Sequence, residues 1–123
     1  MGIRWGHMSW EHAISTDLVH WQHLPLAIPE ENGVMIFSGG CVIDKNNTAG
    51  FAEKSGDVPM VAIYTGHAEG KDQSQHIAYS NDKGRTWKKY EKNPVLDLAR
   101  ACRFSLMKLI QGLNYYARMG KPL

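Results

Sequence analysis

Residues 60–90 read MVAIYTGHAEGKDQSQHIAYSNDKGRTWKKY, and this stretch decides the fold. Its runs at 60–64 and 76–79 are rich in β-branched and aromatic residues and are bounded by Pro, Gly, Ser and Asp, which is typical of antiparallel strands. Two earlier runs, at 35–37 and 41–43, have the same character. No window in residues 1–97 carries a helical stripe of apolar residues. The sequence therefore predicts an all-β fold.

The second run leads into a patterned turn, which reads Ser80-x-Asp82-x-Gly84-x-Thr86-Trp87. In such a turn Asp82 accepts hydrogen bonds from nearby backbone N–H groups, Gly84 takes a positive φ and Trp87 anchors the outgoing strand. The pattern matches the Asp-box, a structural hairpin turn of sialidase-like and related β-propellers. Residues 13–21 repeat the order of strand, Ser-x-Asp turn and Trp-bearing strand. This echo favours a propeller-type repeat.

Composition limits the function classes. The chain has 123 residues, enough for one domain, and is 43% hydrophobic with a net charge of +2. That charge is too small to indicate a nucleic-acid partner, and no apolar run reaches the ~20 residues of a membrane span. No signal peptide is expected after Met1. The two cysteines, Cys41 and Cys102, predict neither a disulfide framework nor a zinc site, so the compartment stays open.

Residues 4–97 resemble the N-terminal catalytic domain of glycoside hydrolase family 32, which includes invertases, levanases and exo-inulinases. The matching motifs follow one another in the family's order: WGHMSW at 5–10, STDLVHW at 15–21, FSG at 37–39, DKNNTAGF at 44–51, QHIAYS at 75–80 and NPV at 93–95. The WGHMSW motif and the NNT-containing loop resemble those of levanases and exo-inulinases more than those of intracellular sucrose-phosphate hydrolases. The resemblance implies part of a five-bladed β-propeller, roughly one and a half to two blades.

The resemblance also implies a chemistry. Enzymes of this family hydrolyse terminal β-D-fructosyl residues of levan, inulin or sucrose with retention, using two carboxyl groups ~5–5.5 Å apart and no cofactor. Trp5, Phe37 and Ser38 fall on family positions that contact the fructosyl unit, and are the candidate substrate-binding residues. Trp10, Trp21 and Trp87 are interpreted as core aromatics instead. His20 and His23 point to opposite faces of a strand, so no metal site is expected.

The family's functional carboxylates are not found in this sequence. The nucleophile's motif would precede residue 4, an Arg-Asp-Pro motif would follow Val95, and the acid/base motif lies farther on. No catalytic residue is therefore assigned, and the chain by itself is predicted to be inactive. The carboxylates that could otherwise form a pair are predicted to be solvated or to cap turns; they are Asp17, Asp44, Asp57, Asp72 and Asp82.

The character of the sequence changes after Asp97. Residues 98–123 carry five basic side chains and no acidic one, with leucine and isoleucine at helical spacing from Leu106 to Leu113. We expect two parts, a family propeller fragment at 1–97 and a non-family basic tail at 98–123. The tail is expected to be helical or disordered and to result from a shifted reading frame.

Two alternatives come from other classes of protein. The first is a non-catalytic carbohydrate-binding or self-associating β module, because unpaired blade edges invite strand addition. The second, more distant, is a sialidase-like propeller fragment, which rests on the Asp-box alone and lacks an arginine cluster. The expected partners are a fructan or sucrose and a second copy of the chain, with no nucleic acid and no membrane.

Overall fold

The computed structural model describes residues 6–97, which form antiparallel β-sheet. The strands are β1 Ala13–Ile14, β2 Gln22–His23, β3 Val34–Ile43, β4 Met60–Ala68, β5 Ser74–Ser80 and β6 Lys88–Lys89. No helix occurs among these described residues, so the all-β prediction is confirmed. The predicted basic tail at 98–123 lies outside the described residues.

The strands form two sheets of unequal size. β1 and β2 make a two-stranded hairpin, and β3 to β6 make a four-stranded sheet in the order of the chain. Within each sheet, each strand pairs antiparallel with the next, as in Val61 opposite Tyr79 between β4 and β5. A four-stranded meander is one propeller blade, and the hairpin supplies two strands of another. The predicted extent of one and a half to two blades is thus confirmed.

The core lies on one face of the four-stranded sheet. Ile36, Ala62, Tyr64 and Ala78 are buried there together with Ala27 and Ile28, and Trp10 and Trp87 pack against them. Ile28 also forms an isolated β-bridge with Trp10, which joins two segments that precede β3. The interpretation of Trp21 as a core aromatic is wrong. Trp21 is 55% exposed and lies next to β2, whose two residues are also exposed.

The two Ser-x-Asp turns have the same hydrogen-bond pattern. Ser15 Oγ donates to Asp17 Oδ1 at 3.0 Å, and Ser80 Oγ donates to Asp82 Oδ1 at 2.7 Å. In each turn the aspartate's own N–H donates back to the serine hydroxyl. Gly84 has a φ of 82°, as the Asp-box predicts. The internal echo in the sequence therefore corresponds to two equivalent hairpin turns.

Two further aspartates, Asp44 and Asp57, also accept hydrogen bonds within turns. Asp44 is buried, and its carboxylate accepts the backbone N–H groups of Thr48 at 2.9 Å and Ala49 at 2.8 Å. Asp57 accepts the N–H of Lys54 at 3.0 Å. These carboxylates hold the long β3–β4 connection in place.

Candidate functional site

The candidate site centres on a β-bulge in β3. Ile36 lies opposite Gly66 and Gly39 lies opposite Tyr64, so Phe37 and Ser38 together face one residue of β4. A bulge of this kind bends the strand and redirects the side chains of its two residues. Phe37 is half-buried and Ser38 is exposed, so the bulge presents an aromatic ring and a hydroxyl side by side.

A close backbone contact explains the glycine that follows the bulge. A Cβ at position 39 would lie 2.1 Å from Ile63 O and 2.7 Å from Tyr64 Cα, distances that real Cβ atoms do not reach. A Cβ at Gly40 would meet nothing within 4 Å. The glycine of the FSG motif is therefore required because the backbone of β4 lies too close to residue 39, at the end of the bulge, for a side chain to fit.

Two side chains contact Phe37, and the sequence analysis predicted neither contact. The indole Nε1–H of Trp10 donates to Phe37 O at 3.0 Å, which holds the bulge from the core side. The Phe37 ring lies 5.2 Å from the His67 ring, centroid to centroid. His67 Nδ1 is buried and has no hydrogen-bond partner among the described residues. Trp10 lies in the WGHMSW motif, which was a signal for it, whereas nothing in the sequence marked His67.

The layer behind the bulge is buried and uncharged near neutral pH. Burial, with a smaller contribution from the negative charge of Glu31, raises the pKa of Tyr64 to about 12. Burial, and to a lesser extent the nearby Lys89, lowers the pKa of His76. The His76 ring stacks on Tyr64 at 5.5 Å, and its Nε2 is 2.9 Å from Ser74 Oγ. These groups support the bulge and are not exposed for proton transfer.

Two of the described carboxylates, those of Asp17 and Asp82, have pKa values shifted downward. The side chain and backbone N–H of His20, followed by further donors, lower the pKa of Asp17 well below its usual range. Desolvation acts to raise the pKa of Asp82, but hydrogen bonds from Thr86 and Ser80 outweigh it and lower this pKa to about 2. A general acid needs the opposite shift.

Two glutamates near the four-stranded sheet form ion pairs with lysines of β6. Glu53 pairs with Lys88, and Glu31 pairs with Lys89 at 2.9 Å. Within residues 6–97, no group of three or more His, Cys, Asp and Glu side chains is placed to hold a metal ion. The same residues contain no helix that is long and apolar enough to cross a membrane.

Of the three predicted substrate-binding residues, the structure brings Phe37 and Ser38 together on the bulge. Trp5 lies outside the described residues. The contact of all three with a sugar remains a prediction.

The comparisons with known proteins assign the family. Residues 1–104 match the model of the glycosyl hydrolases family 32 N-terminal domain. The chain belongs to glycosyl hydrolase family 32. A levanase of Bacillus subtilis (strain 168) is 59% identical to this family 32 chain over 96 residues, which are 77% of the chain and 14% of the levanase. The family match extends to residue 104, and the boundary at residue 97 stays a prediction.

Solved structures show the same relationship in three dimensions. The crystal structure of exo-inulinase from Aspergillus awamori superposes with a TM-score of 0.67 at 44% identity, covering 77% of this chain and 22% of that one. A β-fructofuranosidase from Schwanniomyces occidentalis, complexed with fructosyl-erythritol, superposes with a TM-score of 0.67 at 46% identity. The match covers 78% of this chain and 19% of that one. The family 32 chain thus spans about a fifth or less of these relatives, and the partial-propeller architecture is confirmed.

Proposed function

We propose that this chain is part of a β-fructosidase and carries one wall of its fructosyl-binding site. The observation that carries the proposal is the 59% identity to the Bacillus subtilis levanase over 77% of the chain. Any continuous stretch of that length includes the bulge at Phe37 and Ser38. The substrate class is a terminal β-D-fructosyl residue of levan, inulin or sucrose.

The bulge residues have the chemistry that a sugar wall requires. The Ser38 hydroxyl can donate or accept a hydrogen bond with a fructose hydroxyl, and its exposure leaves it accessible. The Phe37 ring offers an apolar surface to the C–H groups of the sugar. Trp10 holds the Phe37 carbonyl, so the pair is fixed before a ligand arrives. The WGHMSW motif makes Trp5 a third candidate for contact with the sugar.

The 123-residue chain is proposed to bind without hydrolysing. Retention requires two carboxyl groups ~5–5.5 Å apart, one as nucleophile and one as acid/base. Asp17, Asp44 and Asp82 are engaged by donors of their own turns, which leaves these carboxylates unsuited to attack an anomeric carbon. Incubation with levan is therefore expected to release no fructose, and release above the buffer blank would contradict this part of the proposal.

Titration with levan oligosaccharides tests the wall directly. We expect binding with amide shift changes at Phe37 and Ser38, and Ser38→Ala should weaken binding about 3- to 10-fold through loss of one hydrogen bond. Ser55→Ala is the matched control, because Ser55 is exposed in the β3–β4 connection and should not affect affinity. Equal affinities of wild type and Ser38→Ala would reject the role of Ser38.

A chimera tests the activity of the longer protein. In the chimera, residues 6–97 replace the matching segment of the Bacillus subtilis levanase, and the rest of the levanase is retained. We expect levan hydrolysis to survive in the chimera and to fall when Ser38→Ala is added. A folded chimera that binds levan but does not hydrolyse it would argue against the β-fructosidase assignment.

A self-associating β module is the second candidate function, favoured by the position of β3 as a terminal strand of the described four-stranded sheet. None of the relatives reported above is a sialidase, so the sialidase-like alternative gains no support.

A further inference from the structure

The ring of Phe37 contacts a diagonal neighbour in β4. Thr65 is the residue of β4 that faces the bulge, and His67 lies two positions further along the same strand. Because side chains alternate along a strand, His67 and Thr65 lie on the same face of the sheet. Aromatic side chains reach diagonal neighbours of this kind, and the centroids of the Phe37 and His67 rings are 5.2 Å apart, within the range of aromatic pairs. Strand register therefore brings the histidine to the ring.

The residue that faces the bulge is held by β5. Thr65 Oγ1 accepts a hydrogen bond from Gln75 Nε2 at 3.1 Å, which directs the threonine hydroxyl towards the far side of β4. The short side chain of Thr65 also has no flat surface for an aromatic ring. Within residues 6–97, the ring that pairs with Phe37 belongs to His67. The histidine is therefore the side chain best placed to act on the ring of Phe37.

The contacts of Phe37 with Trp10 and with His67 act on different parts of the residue. The indole N–H of Trp10 donates to the Phe37 carbonyl at 3.0 Å, which holds the backbone of the bulge. A fixed backbone still leaves the side chain free to move among its staggered χ1 rotamers. The His67 ring, at an interplanar angle of 34° to the Phe37 ring, acts on that remaining freedom. Both contacts together define how the Phe37 ring is presented.

The imidazole of His67 is placed to act through Phe37 and not on a ligand directly. Its Nδ1 atom is buried, and no hydrogen-bond partner for it is found in the part of the chain that the structure describes. An atom shielded in this way is out of reach of a sugar hydroxyl. The flat surface of the His67 ring is therefore the part of this residue that serves the bulge.

We propose that His67 is a positioning residue of the fructosyl-binding wall, which keeps the Phe37 ring in the orientation that meets the sugar. This inference rests on the proposed function, because it takes Phe37 to contact a fructosyl unit. A side chain that is already held in its bound rotamer loses less conformational freedom when the ligand arrives. Loss of the His67 ring should therefore weaken the binding of levan oligosaccharides about 3- to 10-fold, although His67 does not contact the sugar.

Two substitutions in the full chain separate the ring of His67 from its nitrogen atoms. His67→Phe keeps a flat ring without nitrogen, whereas His67→Asn keeps a polar group near the place of Nδ1 without the ring. We expect His67→Phe to bind levan oligosaccharides within about twofold of the wild type, and His67→Asn to bind about 3- to 10-fold more weakly. His23→Asn is the matched control, because His23 is exposed in β2, and it should bind like the wild type.

The opposite order of affinities would overturn the proposal. Wild-type binding by His67→Asn with weak binding by His67→Phe would show that a nitrogen atom, and not the ring, is what sugar binding requires. Equal affinities of all the variants would show that the orientation of Phe37 does not depend on His67. If His67→Asn does not fold, His67→Phe decides alone, because weak binding by this variant rejects the role of the ring and wild-type binding supports it.

The rotamer of Phe37 is measured without sugar, from the NMR couplings between its Hα and Hβ protons. A fixed rotamer gives couplings at their extreme values, and exchange among rotamers gives intermediate ones. We expect extreme values in the wild type, His67→Phe and His23→Asn, and intermediate values in His67→Asn, with the Gly84 amide reporting that each variant is folded. Extreme values in folded His67→Asn would reject the positioning role even if levan binds. The expected couplings in a chain that binds no levan would instead reject the proposed function, and with it the role of His67 in sugar binding.

Discussion

At the scale of single residues, Gly39 gives the sharpest prediction. A methyl group there meets the backbone of Ile63 and Tyr64 at 2.1 and 2.7 Å, and backbone atoms of a central strand have nowhere to move. Gly39→Ala should therefore lower the free energy of unfolding by about 2–3 kcal/mol. Urea unfolding followed by tryptophan fluorescence measures the change.

The neighbouring glycine supplies the control for that experiment. Gly40 lies in the same strand, but a methyl group there meets no atom within 4 Å. Gly40→Ala should leave stability nearly unchanged or raise it slightly, since alanine restricts the unfolded chain. If the two variants unfold at the same urea concentration, the close crossing of β3 and β4 is not a constraint on the fold.

The residues of the candidate site differ in how far the sequence could predict them. Phe37 and Ser38 could be predicted as site residues because the FSG motif at 37–39 is present in the sequence. The hydrogen bond from Trp10 to Phe37 spans 27 residues and exists only because the bulge places that carbonyl near the indole. His67 meets Phe37 for a similar reason, through the register of β3 with β4. Contacts of this kind depend on the register between strands, which no local sequence pattern specifies.

At the scale of elements, the Asp-box turn predicts how the sheet responds to acid. Hydrogen bonds hold the pKa of Asp82 at about 2, below its unfolded value of 3.8, so this carboxylate stabilises the fold above pH 3.8 and loses that contribution as the pH falls towards 2. Solvent screens the group, which limits the expected loss to about 1 kcal/mol. Asp82→Asn should remove this part of the pH dependence when urea unfolding is compared at pH 6 and pH 2.5.

Asp72→Asn is the control for that variant, because it removes one negative charge from an exposed loop position. An Asp82→Asn protein whose stability falls between pH 6 and pH 2.5 as steeply as that of Asp72→Asn would show that the turn does not carry the effect.

The turns were predictable in a way that the bulge was not. Their bonds join residues two to four positions apart, as between Asp82 and Thr86, so the spacing of residue types encodes them. The same local reasoning failed for Trp21, which follows the first turn. Whether a ring is buried depends on what packs over the hairpin, and two-residue strands offer little cover.

At the scale of the whole molecule, short runs rich in β-branched and aromatic residues predicted β-sheet, whereas the resemblance to the family predicted how much of a propeller is present. The four-stranded blade buries its core on the face that carries Tyr64 and packs against Ile28. A titratable ring, His76, is buried beside that core and stacks on Tyr64. Fold stability is therefore coupled to a proton equilibrium in the middle of the blade.

This coupling yields a prediction about mildly acidic solution. Burial, with the smaller effect of Lys89, lowers the pKa of His76 below the 6.5 of an unfolded histidine. The unfolded chain therefore binds the proton more readily, so this contribution to stability is complete above pH 6.5 and is lost as the pH falls below it. The urea midpoint should be lower at pH 5 than at pH 8. His76→Gln should flatten that slope, while His23→Gln, at an exposed position of β2, should preserve it. A His76→Gln protein that retains the wild-type slope would show that another group senses the proton, and would remove His76 from the account of how the blade is stabilised.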